Sequence, residues 1–234
     1  MALFNAPKTA TKTLLVLARL LAYPDAELRG NLSELRQALH EEAALPARRL
    51  AELDVLIDQL AQPASLDTEV AYVELFDRGR ATSLHLFEHV HGDSRERGPA
   101  MVDLAQTYEA AGLYLAEGEM PDFLPVVLEF TSTQPPREAR EFLAEMAHIF
   151  NAIFSALQQR DSTYAAVLGA LLELAGEKVQ AVTIAAEEPM DAIWQEPVVF
   201  DGCSIKGQTK PGQAQPIHIV RKPPTSQRSE GAQA

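Results

Sequence analysis

Apolar positions recur at three- and four-residue steps along nearly all of the first 186 residues, which is the period of an amphipathic helix rather than of a strand. Leu14, Leu17, Leu20 and Leu21 form a first stripe that stops at Tyr23-Pro24, since the residue before a proline disfavours helix. Two helices are expected next, over residues 32–44 and 46–61, with Pro46 suited to a first helical turn. Their outward positions carry Glu41, Glu42, Glu52, Asp54 and Asp58.

Asp67 or Thr68 is a natural cap for a helix through Val70, Val73 and Phe76 to Asp77, closing near Gly79, where a positive φ is expected. Pro99 opens an amphipathic helix with Met101, Leu104, Ala105, Tyr108 and Leu115 on its stripe, ending near Gly118. Asp122 is placed to cap a short helix that is apolar on most faces, through Phe123, Leu124, Val126, Val127, Leu128 and Phe130. Pro135-Pro136 then opens the longest predicted helix, whose seam is Phe142, Met146, Ile149, Phe150, Ile153 and Leu157. A last stripe is formed by Tyr164, Val167, Leu168, Leu171 and Leu172. No internal repeat and no alternating segment argues for a sheet, so the expected fold is all-α.

A chain of 234 residues suits one core with an appendage. The composition changes beyond Glu187-Glu188. Of the 34 residues from Asp201 onward, 18 are Gly, Pro, Ser, Thr or Gln, so the expected division is a helical domain over 1–200 and a flexible, disordered tail over 201–234. Ile193, Trp194, Val198, Val199 and Phe200 are apolar enough to dock on the helical body before that tail. The tail is mildly basic, whereas the whole chain carries a net charge of −13. Such a balance argues against binding nucleic-acid phosphates, which needs a basic face. Cys203 is the single cysteine, leaving no internal disulfide and no thiolate cluster for zinc. The apolar run at residues 14–22 is interrupted by Arg19 and is too short to span a bilayer, so a soluble cytoplasmic protein is expected.

The densest chemistry lies between Asp77 and Gly98. His85 and His89, at i and i+4, share a helix face with Glu88 and His91 nearby, a spacing that can hold a metal. The zinc hydrolase pattern H-E-x-x-H is not met, because Leu86 follows the first histidine. Local hydrogen bonding or a polar patch is the alternative for these histidines, and four arginines around Ser83 suit a phosphate or carboxylate. No P-loop, no G-x-G-x-x-G and no G-x-S-x-G elbow is present, and no motif asks for a cofactor. An acidic helical body of this kind suits an apolar groove for an amphipathic peptide, with an acidic rim favouring Lys or Arg. A metal-dependent hydrolase on the histidine cluster and a generic helical adaptor are the competing readings.

Residues 72–80 (Tyr72-Val73-Glu74-Leu75-Phe76-Asp77-Arg78-Gly79-Arg80) and 83–92, with Arg95, Arg97-Gly98, Met101 to Leu104, Tyr108, Pro121 to Pro125 and Leu128-Glu129-Phe130, resemble the redox-enzyme maturation chaperones of the TorD/DmsD family. Within that family the likeness is to the assembly chaperones of membrane-bound respiratory nitrate reductase. It spans about residues 12–200. The resemblance implies a TorD-like helical bundle without enzymatic activity. It implies binding to the N-terminal segment of the apo catalytic subunit, which is held open for molybdenum cofactor insertion before membrane docking. The proteins that deliver the cofactor are implied as further partners. In relatives serving exported reductases a Pro-Asp-His motif is tied to signal-peptide binding. Pro121 and Asp122 match it, and Phe123 stands at the histidine position. The resemblance makes Tyr72, Phe76, Phe87, Glu88, His89, Tyr108, Pro121 and Asp122 the candidates for the peptide site. It gives Arg78, Arg80, Arg95 and Arg97 a role in ordering the loop or touching the client. Asp122 has two readings, contact with a basic peptide or capping of its own helix.

Overall fold

The first stripe becomes helix α1 (Thr11–Leu21), and in the computed structural model Leu14, Leu17, Leu20 and Leu21 are all buried. The structure describes residues 9–62, 65–92, 94–180 and 182. These all belong to the first of two units into which the chain divides, Met1–Glu187 and Glu188–Ala234. The expected docking of Ile193 to Phe200 and the expected tail lie outside the described residues.

Ala10 supplies no side-chain cap to α1. That role falls to Glu42, in the last turn of α2 (Ala26–Glu42), whose carboxylate accepts from the Lys12 N–H at 3.1 Å, the Thr13 N–H at 2.6 Å and the Thr13 hydroxyl at 2.6 Å. A negative charge is favoured at the positive end of a helix, so one acid of the expected wet face joins two helices. Helix α2 begins six residues before the predicted start. Asp25 caps it by accepting from the Leu28 N–H at 2.7 Å.

Helix α3 (Ala47–Leu60) follows Pro46 and buries Leu50, Leu53, Leu56, Ile57 and Leu60. Helix α4 (Ser65–Phe76) turns inward a face that keeps Phe76 of the expected stripe, drops Val70 and takes Tyr72. Tyr72 and Phe76 are buried, whereas Val70 is 49% exposed. The aromatic rings decide the register, since Tyr72 and Phe76 pack with each other and with Tyr164, and Tyr72 also packs on Tyr23.

Gly79 does follow this helix, but its φ is −92° rather than positive. Its requirement is space. A Cβ there would collide with the Thr82 hydroxyl and lie 2.7 Å from the Leu75 carbonyl, because Thr82, in the 3₁₀ turn Arg80–Thr82, donates to that same carbonyl.

After α5 (Leu86–His91), helix α6 (Arg97–Ala110) stops well short of Gly118 and has one buried residue, Tyr108. Helix α7 (Leu124–Thr133) is buried on most faces, as expected. The predicted longest helix is two helices, α8 (Pro136–Glu145) and α9 (Ala147–Gln159), broken at Met146. The break lets both halves pack against α10 (Ala165–Ala175). That helix is buried at nine of its eleven positions and forms the centre of the core, touching α3, α8 and α9. Gly176, at φ +79°, ends it, and the chain returns beside α9. There Asn151 accepts from the Gln180 N–H at 2.7 Å and Ser155 from the Val182 N–H at 3.1 Å. Helix α1 lies against α7 and α2. Among the described residues there is no strand, and no helix is long and apolar enough to cross a membrane.

Candidate functional site

Two short segments distant in sequence meet at the motif-rich region. His85 and Phe123 form an isolated antiparallel bridge, with the Leu86 N–H donating to the Asp122 carbonyl at 3.0 Å and the Leu124 N–H to the Leu84 carbonyl at 2.8 Å. This bridge carries Asp122, fully buried, to the start of α5. Its carboxylate accepts from the Phe87 N–H at 3.1 Å and meets His85 Nδ1 at 3.2 Å. Asp122 therefore caps α5 and not its own helix, whose N-terminal Phe123 offers no side-chain cap. The capping expectation for α7 is corrected: the bridge turns the side chain away from the helix that follows it.

The same dipeptide holds both ends of α6. At the first turn Arg97 lies 3.7 Å from Asp122 and 3.4 Å from Glu88. Near the last turn the buried Tyr108 hydroxyl donates to the Pro121 carbonyl at 2.8 Å. Its ring stacks on Phe130 at 4.6 Å, and Phe142 meets the other partner of that stack at 5.4 Å. Burial pushes the Tyr108 phenol well above its ordinary range, so it stays a donor at any physiological pH.

The three clustered histidines go to three different partners. The hydrogen bond to Asp122 raises the pKa of His85, against an opposing effect of partial burial. His89 Nε2 lies 2.8 Å from the Ser83 carbonyl, and since a carbonyl only accepts, that nitrogen carries a proton. His91 packs edge-on against Phe87. Among the described residues no three His, Cys, Asp or Glu converge as a metal site. The i, i+4 argument fails because His85 precedes α5 instead of lying inside it.

The other candidates divide as follows. Tyr72 and Phe76 sit in the aromatic cluster with Tyr23 and Tyr164, where the Tyr72 hydroxyl donates to the Leu21 carbonyl at 2.8 Å. Phe87, Glu88 and His89 are half-buried around α5. Arg80 and Arg97 line a small cleft of 110 Å³ with Glu88 and Gly92. Arg78 pairs weakly with Glu74 across 3.9 Å, and Arg95 is exposed.

A larger groove of 440 Å³ lies between α1, α7 and the segment after α6. Leu15, Leu113, Tyr114, Leu115, Val126 and Phe130 supply most of its apolar wall, and Tyr108 is the one of the eight proposed peptide-site residues that lines it. Leu15 is 45% exposed and Tyr114 79% exposed, so these apolar surfaces face solvent. Sequence reasoning missed them. Leu15 falls off the α1 stripe, and Tyr114 falls off the stripe expected to run on through Leu115, whereas α6 already ends at Ala110. The available signal was the Leu-Tyr-Leu run between Gly112 and Gly118.

Comparison with known proteins agrees with this architecture. The family model for the nitrate reductase delta subunit matches residues 23–169. The nitrate reductase molybdenum cofactor assembly chaperone NarJ of Escherichia coli K12 is 42% identical over 193 residues, covering 78% of this chain and 82% of the relative. NarW of the same strain, named a probable nitrate reductase molybdenum cofactor assembly chaperone, is 38% identical over 192 residues, covering 77% and 80%. A candidate redox enzyme maturation protein from Archaeoglobus fulgidus has a similar crystal structure, with a TM-score of 0.50 at 21% identity, covering 71% of this chain and 94% of that one. With the family model matched over more than half its length and relatives this similar over most of theirs, the chain belongs to the nitrate reductase delta subunit family, in which the named relatives are assembly chaperones and not enzymes.

Proposed function

We propose that this chain is a cytoplasmic assembly chaperone for respiratory nitrate reductase. It binds the N-terminal segment of the apo catalytic subunit and holds that subunit competent for molybdenum cofactor insertion before membrane docking. The observation that supports this reading is the solvent-facing apolar groove beside α1 and α7. Its 440 Å³ falls within the ~300–1,000 Å³ typical of ligand pockets, and one wall is a regular helix against which a second helix can lie.

Binding is the whole mechanism. A client segment that is unstructured when free loses conformational entropy on becoming a helix, and burial of a few large apolar side chains offsets that loss. Tyr108 forms the floor, held by Pro121 and Phe130. The Asp122 network fixes the loop that carries Pro121. In this reading Phe87, Glu88 and His89, with Arg78, Arg80, Arg95 and Arg97, border a second face available to the client or to the proteins that deliver the cofactor.

Release follows when the cofactor-loaded client folds its own N-terminus away. The test compares the affinity of the full chain for the apo catalytic subunit and for the cofactor-loaded one. Much tighter binding of the apo form is expected, and equal affinities would contradict the proposal.

A further inference from the structure

The groove is not uniformly apolar. Glu119 and Glu129 both line it, Glu129 on α7 one turn before Thr133 and Glu119 on the segment after α6. Thr11, Ser132 and Thr133 line it as well, without charge. The groove is therefore acidic at one part of its wall and neutral at another.

The charge of Glu119 reaches Glu129. Partial desolvation of Glu129 in the groove wall raises its pKa, and the charge of Glu119 raises it further, while Arg19 opposes the rise. Arg19 is itself engaged elsewhere, 3.3 Å from Glu27 and 3.7 Å from Asp25. Glu119 uses one oxygen to accept from the Ala116 N–H at 2.9 Å, which holds its side chain at the groove. Two carboxylates that line one groove beside apolar surface, one of them acting on the other, both gain from a cation brought into that groove.

We infer that Glu119 and Glu129 are the specificity-determining residues of the groove, together taking one Lys or Arg of an amphipathic helical segment whose large apolar side chains fill the cavity beside them. The inference rests on the chaperone reading and deepens it, because it assigns the charge selection to one pair on the wall instead of to the net charge of the chain. A basic residue one helical turn from an apolar anchor brings its stem along Val126 and its head to the carboxylates. The same pair discriminates against a segment with an acid at that position, which meets two like charges.

The experiment is a double-mutant cycle on the full-length chain. Two helical probe peptides of about fifteen residues are compared, each with Leu and Phe at i, i+3, i+4 and i+7, one carrying a single Lys one turn from the Phe and the other norleucine there. The E119Q/E129Q variant is tested beside the unaltered chain, with thermal unfolding showing that both are folded. The unaltered chain is expected to prefer the Lys peptide by about three- to tenfold, and the variant to lose that preference while keeping its affinity for the norleucine peptide. Equal binding of the two peptides by the unaltered chain overturns the inference, and so does a variant that keeps the preference. If neither probe binds but the N-terminal segment of the catalytic subunit does, the pair is not the selector and the chaperone reading stands. If that segment also fails to bind, both fall together.

Discussion

The buried carboxylate of Asp122 accepts a hydrogen bond from the backbone N–H of Phe87, 35 residues earlier in the chain, at 3.1 Å. An N-terminal helix donor that a local Ser or Asp usually satisfies is here satisfied by a residue of a distant loop, so α5 has this cap only when that loop is docked. Removing the side chain leaves the donor without its partner and Arg97 without part of its counter-charge. Asp122→Ala is expected to destabilise the chain by about 2–3 kcal/mol, with loss of amide protection across α5. Urea unfolding checks the first expectation and hydrogen exchange the second.

The pair with His85 gives stability a pH dependence of defined sign. The folded-state pKa of His85 is raised above 6.5, chiefly by its bond to Asp122, with Glu88 adding to the rise and Arg97 opposing it. A raised value means that the pair contributes fully below 6.5 and that the contribution fades as pH rises through the folded-state value. Because His85 is partly exposed, the contribution is expected to stay below about 1 kcal/mol. Unfolding of the chain and of His85→Asn, compared at mildly acidic and mildly alkaline pH, should show a stability gap at the acidic end that narrows at the alkaline end.

At Gly79 the obstacle to a side chain is contact, since φ is negative. Gly79→Ala is expected to cost about 1–3 kcal/mol, because one of the two close neighbours is the backbone carbonyl of Leu75. Adding Thr82→Ala should not restore stability, as the carbonyl stays and Thr82 loses its own bond to it. Thermal unfolding of the two variants checks both statements.

Tyr108 ties the end of α6 to Pro121. Tyr108→Phe keeps the stack on Phe130 and removes only the hydrogen bond, which should cost about 1 kcal/mol. Faster amide exchange is expected at the end of α6 and in residues 111–119, with α9 and α10 unaffected.

The helices α1, α3, α7 and α10 were legible in the sequence because each carries apolar side chains at the helix period. The break at Met146 was not, since the apolar seam runs through it without Pro or Gly, and the reason for it lies in packing on α10. The inward face of α4 was legible at Phe76 and not elsewhere: Val70 fits the period, but Tyr72 has more area to bury. At the candidate site the resemblance singled out Pro121 and Asp122, and the structure shows what they do locally, joining α5 and α6. Local capping rules pointed Asp122 at α7, because a partner 35 residues away leaves no mark on sequence spacing. The groove was the least legible part, because Tyr108, Leu115, Val126 and Phe130 were read as stripes that a core would cover, and Leu15 and Tyr114 follow no stripe.

The central claim is that the apolar groove binds the client segment. It is tested most directly by calorimetric titration of the full-length chain with the N-terminal segment of the nitrate reductase catalytic subunit, beside a scrambled segment and beside the groove variant Leu15→Asp. The account predicts one-to-one binding of the native segment with a negative heat-capacity change, none of the scrambled one, and at least about tenfold weaker binding by a Leu15→Asp chain of unchanged stability. Equal binding of native and scrambled segments, or full affinity in the Leu15→Asp variant, would contradict it.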